Sequence, residues 1–282
     1  MRYFGFLKKT QLHQQFNMYG HFTLLSKFIQ YKIKSSNGKG HGVHSPFVYD
    51  FIRKVLLDKR FFYAYEAIEA CRKNMLQDQR VLQIEDFGAG SRLRKTNQRS
   101  IHEIAKSSLK PKKFSQLIFR IVNHYHPEKI LELGTSLGIT TSYMAAANEK
   151  ATVYSMEGAS EIAAVAESNF EKLALKNIVV IVGNFDDTLP LYLATENKLD
   201  LVFVDGNHRY EPTIQYFEQL LIKTTEESIL IFDDIHWSEE MERAWKYIQQ
   251  HPQVRVTIDL FFIGLVFFRK ENKVKQHFSI SF

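Results

Sequence analysis

The sequence has little of what would mark a secreted or membrane-bound protein. Cys71 is its only cysteine, so no intramolecular disulfide can form and nothing indicates an oxidising compartment. The apolar run at the start is too short for a signal peptide, and the run 260–268 is far shorter than the roughly 20 residues of a membrane span. These absences predict a soluble, cytoplasmic protein with no membrane span.

Acidic residues are scarce in the first half of the chain. Residues 1–126 contain 23 Lys and Arg against 8 Asp and Glu, a balance of +15, whereas residues 127–282 contain 14 against 23, a balance of −9. The net charge is +6. A basic half of this kind can attract nucleic acid, acidic lipid or a phosphorylated substrate, or it can be a set of solvated helices packed on an acidic domain. Charge alone leaves these alternatives open.

From residue 127 the sequence alternates short β-rich runs with amphipathic stretches, a pattern typical of parallel strands joined by crossover helices. It predicts an α/β fold with a Rossmann-like, seven-stranded sheet. Only a tight turn separates the last two runs, so six strands should be parallel and the last antiparallel. The predicted strands span residues 129–133, 151–157, 177–182, 199–205, 228–233, 254–260 and 263–269.

The first half has its apolar residues at helical spacing instead. The predicted helices there span residues 11–31, 47–57, 61–75, 101–107 and 113–123. Two regions follow from this contrast. Residues 1–110 are predicted to form a mainly helical N-terminal region that would suit a cap over a substrate, and residues 111–282 a Rossmann-like domain. The oligomeric state is open, with a homodimer as one alternative.

Two glycine-bearing segments compete for the role of cofactor loop. Such a loop needs a strand before it, a helix after it, and an acidic side chain at the end of the next strand to accept hydrogen bonds from ribose hydroxyls. The segment from Gly134 to Gly138 follows a predicted strand, precedes a helical pattern and has Glu157 at the end of the next strand. The turn at Gly88 and Gly90 is followed by basic residues and no second strand. The first segment is therefore the predicted cofactor loop.

The run 130–138, Ile-Leu-Glu-Leu-Gly-Thr-Ser-Leu-Gly, resembles motif I of the class I S-adenosylmethionine-dependent methyltransferases. It is most similar to the small O-methyltransferases of the catechol and caffeoyl-CoA type. The resemblance covers residues 127 to about 269 and does not extend to the N-terminal half. It implies the methyltransferase version of the Rossmann fold, with a last antiparallel strand, and S-adenosylmethionine as cofactor.

The resemblance also implies which residues bind the amino-acid end of the cofactor. Glu132 would meet its ammonium group, directly or through water. Thr135 or Ser136 would bind its carboxylate, while Gly134 and Gly138 would let the backbone approach closely.

The nucleoside end of the cofactor is expected on the following strands. Glu157, with Gly158 beside it, would hold the ribose hydroxyls. Asn184 and Phe185 follow the third strand, where the family places its contacts to adenine, and Asp205 closes the fourth strand beside the cofactor. Because aromatic side chains are so often buried, Phe185 can equally be a packing residue.

Carboxylates follow two further strands of the predicted sheet. Asp205 ends the fourth strand, and Asp233 and Asp234 end the fifth, so all three should meet at one edge of a parallel sheet. Relatives take a divalent metal at these positions, which implies Mg²⁺ or a similar ion that fixes a substrate hydroxyl. Adjacent Asp residues after a strand are also frequent helix caps, so a structural role stays open.

Two histidines accompany these carboxylates. His208 lies three residues after Asp205, where catechol-type relatives have a Lys, and His236 follows the pair Asp233 and Asp234. An imidazole can serve as a general base at neutral pH, so His208, His236 and Asp205 are the candidate catalytic residues, with or without a metal. Asn207 stands where some relatives have another Asp, which puts a fourth metal ligand in doubt.

The first half adds two further groups of candidates. His41 and His44 precede a helix start in which Ser45 would be the N-cap and Pro46 the first helical residue. A basic cluster that would suit a phosphate or carboxylate group follows the Gly88 turn and consists of Arg92, Arg94, Lys95 and Arg99.

The sequence thus predicts a methyltransferase that uses S-adenosylmethionine to methylate a hydroxyl group on a small or anionic acceptor, with or without the help of a metal. Two alternatives stay open. The basic half could bind transfer RNA as the substrate, or the chain could be a Rossmann-like binding module without catalysis.

Overall fold

The computed structural model describes residues 18–35, 38, 40, 43–84 and 98–282. The first part is mainly helical, with one small antiparallel pair of strands. Its elements are α1 (His21–Lys34), α2 (Pro46–Phe51) with a π-helical continuation (Ile52–Leu56), α3 (Ala64–Met75), β1 (Val81–Gln83), β2 (Gln98–Ser100), α4 (Ile101–Ser108) and α5 (Lys112–Tyr125).

The second part alternates strands and helices. Its elements are β3 (Lys129–Leu133), α6 (Ile139–Ala147), β4 (Thr152–Glu157), α7 (Ser160–Lys172), β5 (Ile178–Val182), α8 (Phe185–Thr195), β6 (Leu199–Val204), α9 (Tyr210–Leu221), β7 (Thr224–Asp233), α10 (Glu239–Gln250), β8 (Val256–Asp259), β9 (Ile263–Phe267) and β10 (Gln276–Ser279).

The strands of the second part form one sheet in the order β10-β8-β9-β7-β6-β3-β4-β5. β9 pairs antiparallel with both β7 and β8, and every other pairing is parallel. The predicted Rossmann-like sheet and its antiparallel strand after a tight hairpin are therefore confirmed. The predicted count of seven strands is one too few. The eighth, β10, is a short edge strand whose residues alternate between half-buried and exposed, so it has no apolar run that would signal a strand.

Helices cover both faces of the sheet. On one face, Phe51 from α2, Val55 from the π-helical segment and Ile118 from α5 share a core with strand residues such as Leu201. α8, α9 and α10 pack on the opposite face. A third cluster joins α3 and α4 to α6 and α7. The boundary predicted at residue 110 stays a prediction. On its N-terminal side, α2 and the π-helical segment contribute to the same core as strands of the sheet.

Local signals account for several element starts. Ser45 accepts a hydrogen bond from the N–H of Val48 at 3.5 Å and Pro46 begins α2, as the sequence indicates. Ser100 and Glu103 form a capping box at the start of α4. Among the described residues, no helix is long and apolar enough to cross a membrane.

Candidate active site

The loop between β3 and α6 lies tightly against the end of β6. Gly134 has φ +108°, and a Cβ atom there would lie 2.2 Å from the backbone oxygen of Asp205. Gly138 has φ +82°, and its Cβ would lie 2.5 Å from the ring of Phe170. Both positions require glycine, because another side chain would strain the backbone and collide with its neighbours. The loop thus joins the predicted cofactor site to the residues after β6.

Glu132 lies at the base of this loop and is fully buried. Its Oε2 accepts hydrogen bonds from Thr141 Oγ1 and from Ser155 Oγ, each at 2.5 Å. Its Oε1 is buried without a hydrogen-bond partner among the described residues. Burial raises the pKa of Glu132 to about 8, although the two hydroxyl groups act to lower it. A buried oxygen of this kind is unfavourable unless a ligand or water supplies a donor.

The next residues of the loop are held by the end of β4. The N–H of Ser136, which has φ 48°, donates to Glu157 Oε2 at 2.8 Å, and the N–H of Ala159 donates to Glu157 Oε1 at 3.0 Å. The Thr135 hydroxyl pairs with Ser155 Oγ at 2.6 Å, whereas Ser136 Oγ is buried and has no such partner in the described structure. Of the two hydroxyls predicted to bind the cofactor's carboxylate, that of Ser136 is therefore the one that remains to be satisfied.

The predicted nucleoside contacts border the same edge of the sheet. Asn184 caps α8, because its Oδ1 accepts from the N–H of Asp186 at 3.1 Å. The half-buried ring of Phe185 lies so close to Gly206 that a Cβ on that glycine would be 2.6 Å from it. Gly158 lies half-buried in the bend between β4 and α7. Phe185 therefore packs against the loop after β6 while it borders the predicted adenine position.

Two carboxylates and an imidazole gather after β6 and β7. Ligand atoms of Asp205, His208 and Asp233 all lie within 4.8 Å of one another. His208 Nε2 is 3.4 Å from Asp205 Oδ1. Lys110, a buried residue between α4 and α5, enters the same group: its Nζ contacts the carboxylate of Asp233 and lies 3.7 Å from Asp205 Oδ2. We call these four residues the acceptor-end cluster.

Within the cluster, each charged group stabilises the charged form of its oppositely charged neighbour. Burial alone would raise the pKa of Asp205, but the charge of Lys110 and the hydrogen bond with His208 outweigh it and lower that pKa. Burial alone would lower the pKa of His208, but the hydrogen bond with Asp205 and the charges of Asp234 and Asp205 outweigh it and raise that pKa. Asp205 is therefore an anion at neutral pH, and His208 keeps its proton to higher pH than an ordinary imidazole.

The cluster has some features of a metal site but does not fit a divalent ion. Asp233 offers a buried Oδ1 that has no hydrogen-bond partner among the described residues. However, the Lys110 ammonium already contacts the other oxygen of this carboxylate. A divalent ion about 4 Å from an ammonium group would be repelled by roughly 8 kcal/mol at an effective dielectric constant of about 20. As arranged, the side chains accommodate an ammonium group rather than a divalent metal.

Asp234, the third metal ligand predicted from the sequence, is not part of this group. Its N–H donates to the backbone oxygen of Phe262 at 2.7 Å, and it has φ 52°. The side chain of Asn207 is committed elsewhere: its Oδ1 accepts from the Arg209 guanidinium at 2.9 and 2.8 Å, and its Nδ2 donates to the Tyr216 hydroxyl at 3.3 Å. Both residues shape loops at the edge of the site.

His236 lies between two carboxylates outside the acceptor-end cluster. Its Nδ1 is 3.1 Å from Glu242 Oε1 and its Nε2 is 2.8 Å from Asp259 Oδ2, while its ring stacks on Phe261. Burial acts to lower the pKa of His236, but the hydrogen bonds to the carboxylates raise it to about 9. With both nitrogens bonded in this way, His236 is an imidazolium that holds neighbouring elements together.

The structure describes two of the candidates predicted from the first half of the chain. His44 is exposed beside the Ser45 cap, and the guanidinium of Arg99 donates to Ser107 Oγ at 2.6 Å. The candidates that lie outside the described residues are His41, Gly88, Gly90, Arg92, Arg94 and Lys95.

Sequence reasoning missed Lys110 and the two hydroxyl partners of Glu132. Ser155 faces Glu132 from the adjacent strand, so the pairing of β3 with β4 could have identified it. Thr141 follows nine residues later in α6. Lys110, by contrast, stands in a lysine-rich stretch before a proline, and its contact with Asp233 spans 123 residues. Nothing local distinguishes it from its neighbours.

Comparison with known proteins agrees with this geometry. Residues 131–235 match a family described as a methyltransferase domain. The match includes the loop after β3 and the carboxylates after β6 and β7. The matched residues lie within the Rossmann-like region predicted from the sequence, and their similarity agrees with the prediction of a methyltransferase. No curated protein matches the chain in sequence.

Solved methyltransferase structures share the fold. An S-adenosylhomocysteine-bound methyltransferase of Podospora anserina, PaMTH1, superposes with a TM-score of 0.54 at 13% identity, covering 89% of this chain and 97% of that one. An O-methyltransferase from Bacillus cereus in complex with S-adenosylhomocysteine gives 0.51 at 18% identity, covering 78% and 97%. TomG, an O-methyltransferase of Streptomyces achromogenes in complex with S-adenosylmethionine, gives 0.51 at 17% identity, covering 79% and 96%.

Proposed function

We propose, from the premise that this chain carries a methyltransferase domain of the class I fold, that it transfers the methyl group of S-adenosylmethionine to a hydroxyl oxygen of a small acceptor. The observation that carries the proposal is a pair of buried atoms at the loop after β3, Glu132 Oε1 and Ser136 Oγ, that have no hydrogen-bond partner among the residues the structure describes. They suit the ammonium and the carboxylate of an amino-acid group. The methyltransferases named above that share the fold are bound to S-adenosyl compounds, which supports the same assignment.

The cofactor's position follows from these atoms. Glu132 would bind the ammonium, and Ser136 the carboxylate. Glu157, which accepts hydrogen bonds from two backbone N–H groups, would also accept from the ribose hydroxyls. Phe185, beside Asn184, would cover one face of the adenine. A cofactor bound in this way would have its methyl group near Asp205 and the acceptor-end cluster, because the loop at Gly134 packs closely against Asp205.

The acceptor-end cluster supplies the chemistry of oxygen methylation. The neutral form of the His208 imidazole, whose Nε2 is 3.4 Å from Asp205, takes the proton of the acceptor hydroxyl. Because the pKa of His208 is raised, this form is less populated at neutral pH than that of an ordinary imidazole, and we expect the rate of methyl transfer to rise with pH. The oxygen then attacks the methyl carbon. The carbon–sulfur bond breaks and its electron pair stays on sulfur, so the leaving group is a neutral thioether. The proton from the acceptor hydroxyl remains on His208. The negative charge of Asp205 stabilises the imidazolium that forms.

Calorimetric titration with S-adenosylhomocysteine tests the cofactor site. We expect the wild type to bind it and Glu157→Ala to bind at least tenfold more weakly, because that variant loses the ribose ligand and the acceptor for the loop's N–H groups. The matched control is Glu167→Ala, which removes an exposed carboxylate from α7. Wild-type protein that binds neither S-adenosylmethionine nor its demethylated product at millimolar concentration rules the proposal out.

Methyl transfer itself requires a separate assay. Methyl-labelled S-adenosylmethionine, incubated with the protein and mixtures of small hydroxyl compounds, should give a labelled methyl ether. His208→Gln should reduce this labelling strongly while leaving cofactor binding within a factor of about three, since His208 acts on the acceptor. Cofactor binding without transfer to any hydroxyl, amine or transfer RNA acceptor would instead favour a binding module.

A further inference from the structure

Lys110 is fixed in the acceptor-end cluster from a distant part of the chain. It lies between α4 and α5, and its backbone oxygen accepts hydrogen bonds from Arg72 Nη1 at 2.8 Å and from Ser115 Oγ at 3.3 Å. The side chain is almost fully buried, with 8% of it exposed. Its Nζ contacts Asp233 and is 3.7 Å from Asp205. The ammonium group is therefore largely shielded from solvent.

The two carboxylates need a cation. Asp233 is 1% exposed and Asp205 lies on the neighbouring strand end, so two negative charges meet in a largely water-excluded site. Uncompensated buried charges of like sign are strongly unfavourable. One cation between them removes most of that repulsion, and the ammonium of Lys110 occupies that place.

The remaining lone pairs indicate where an acceptor would bind. Asp233 Oδ1 is buried and without a hydrogen-bond partner in the described structure. It can accept a hydrogen bond from a hydroxyl, and the neighbouring ammonium can donate to the same hydroxyl's oxygen. An oxygen that becomes negative during the reaction would thus lie beside a positive charge. The ammonium would stabilise that negative charge as a metal ion would otherwise do.

We propose that the Lys110 ammonium is a built-in cation that takes the place of a divalent metal between Asp205 and Asp233, so that this site orients an acceptor oxygen without a metal ion. The inference rests on the proposed function for the role of the oxygen. Its central claim is independent of that function: the wild-type site excludes a divalent ion because a side chain of the same protein already fills it.

Manganese binding tests this claim on the full chain, with Mn²⁺ alone as the probe and its electron paramagnetic resonance signal as the readout. We expect no binding to wild type with a dissociation constant below 1 mM in this test, roughly the affinity that a weak oxygen-ligand site has. Lys110→Met, which keeps a buried straight chain but removes the charge, should bind Mn²⁺ at least tenfold more tightly than wild type. Lys110→Arg keeps a cation and should show no gain.

Two further variants make the result specific. Lys112→Met removes an exposed lysine two residues away and should behave as wild type. Lys110→Met/Asp233→Asn should lose the gained Mn²⁺ site. If Lys110→Met alone is unstable, the comparison of wild type with Asp233→Asn still tests the proposal, because the wild-type site is expected to exclude Mn²⁺. Sub-millimolar Mn²⁺ binding by wild type that Asp233→Asn abolishes would overturn the proposal, as would an absence of any gain in a folded Lys110→Met protein.

Titration of the same samples with S-adenosylhomocysteine separates this proposal from the proposed function. If the wild type does not bind S-adenosylhomocysteine, that result counts against the methyltransferase activity and leaves the Mn²⁺ comparison intact. Cofactor binding together with a wild-type Mn²⁺ site counts against the role of Lys110 alone.

Discussion

The two ends of the site are built from the chain in different ways. At the cofactor end, Glu132, Ser136 and Glu157 come from two consecutive strand–helix units, and their contacts span 21 to 23 residues. At the acceptor end, Asp205 and Asp233 come from two later strands, and Lys110 reaches them from 123 residues before Asp233. The cofactor end is therefore a local product of the sheet, whereas the acceptor end depends on how the N-terminal helices pack on it.

The two ends also solve the problem of a buried carboxylate in opposite ways. Glu132 has hydroxyl partners but no cation, and burial raises its pKa to about 8. Asp205 has Lys110 and His208 beside it, and its pKa is lowered in spite of burial. The comparison indicates that at the cofactor end the positive group would come from the bound ligand, whereas at the acceptor end the protein itself supplies one, the ammonium of Lys110.

Gly134→Ala should have the largest effect, because it disturbs both ends at once. The added Cβ would meet the backbone oxygen of Asp205, and φ +108° is strained for any residue with a side chain. Strain of this kind amounts to roughly 1–3 kcal/mol before the collision is counted. We expect S-adenosylhomocysteine binding to weaken at least tenfold and the protein to lose thermal stability. Gly20→Ala is the control, since nothing lies within 4 Å of its added Cβ. Unchanged cofactor binding in Gly134→Ala would mean that the loop is not the cofactor site.

A proton measurement sharpens the contrast between the carboxylates. Glu132 is mostly protonated below pH 8 without ligand, whereas an ammonium group should bind its ionised form. Cofactor binding at pH 6.5 should therefore release about one proton, and the affinity should rise by nearly tenfold from pH 5.5 to 6.5. Calorimetry in buffers of different ionisation enthalpy measures the release. Glu132→Gln should bind roughly 10- to 100-fold more weakly and release none. Binding by wild type with no proton release would show that the ammonium lies elsewhere.

The same contrast explains how far the sequence could predict the site. The loop after β3 and the acid after β4 are recognisable because their spacing reflects a single strand–helix unit, and the sheet follows from its buried apolar runs. Asp205 and Asp233 could be placed at one edge, since parallel strands end there together. Lys110 could not be found, because its role depends on long-range packing of α5 against the sheet. The metal site was predicted from the carboxylates alone, without Lys110, and it stays a prediction.

The edge strand β10 was missed for a related reason. A four-residue strand at an edge pairs on one side only and buries alternate residues, so its sequence, Gln-His-Phe-Ser, has no apolar run. Like the contact of Lys110, its pairing with β8 is a tertiary contact that no local sequence pattern predicts.

The smallest expected effect is that of His236→Gln on the free energy of unfolding, because His236 supports the acceptor end from outside the cluster. His236 follows β7 and bonds to Glu242 and Asp259, and Glu242 in turn accepts from Tyr19 at 2.8 Å and from Lys27 at 2.9 Å. This network therefore fastens the segment with α1 to the loop after β7. His236→Gln should lower the free energy of unfolding by about 1 kcal/mol, or the melting temperature by roughly 2–4 °C.

The pH dependence identifies the cause. The pKa of His236 is raised to about 9, so its contribution is complete below an unfolded value near 6.5 and is lost as pH rises through 9. The pKa of Glu242 is lowered to about 2, so its contribution is complete above about 4.5 and is lost as pH falls through 2. The difference in melting temperature between wild type and His236→Gln should therefore be largest between about pH 4.5 and 6.5. His44→Gln, at an exposed histidine, should show no such profile. If His236→Gln instead abolished methyl transfer and left the melting curve unchanged, His236 would have the catalytic role that the sequence alone suggested, and the acceptor end would extend beyond its four-residue cluster.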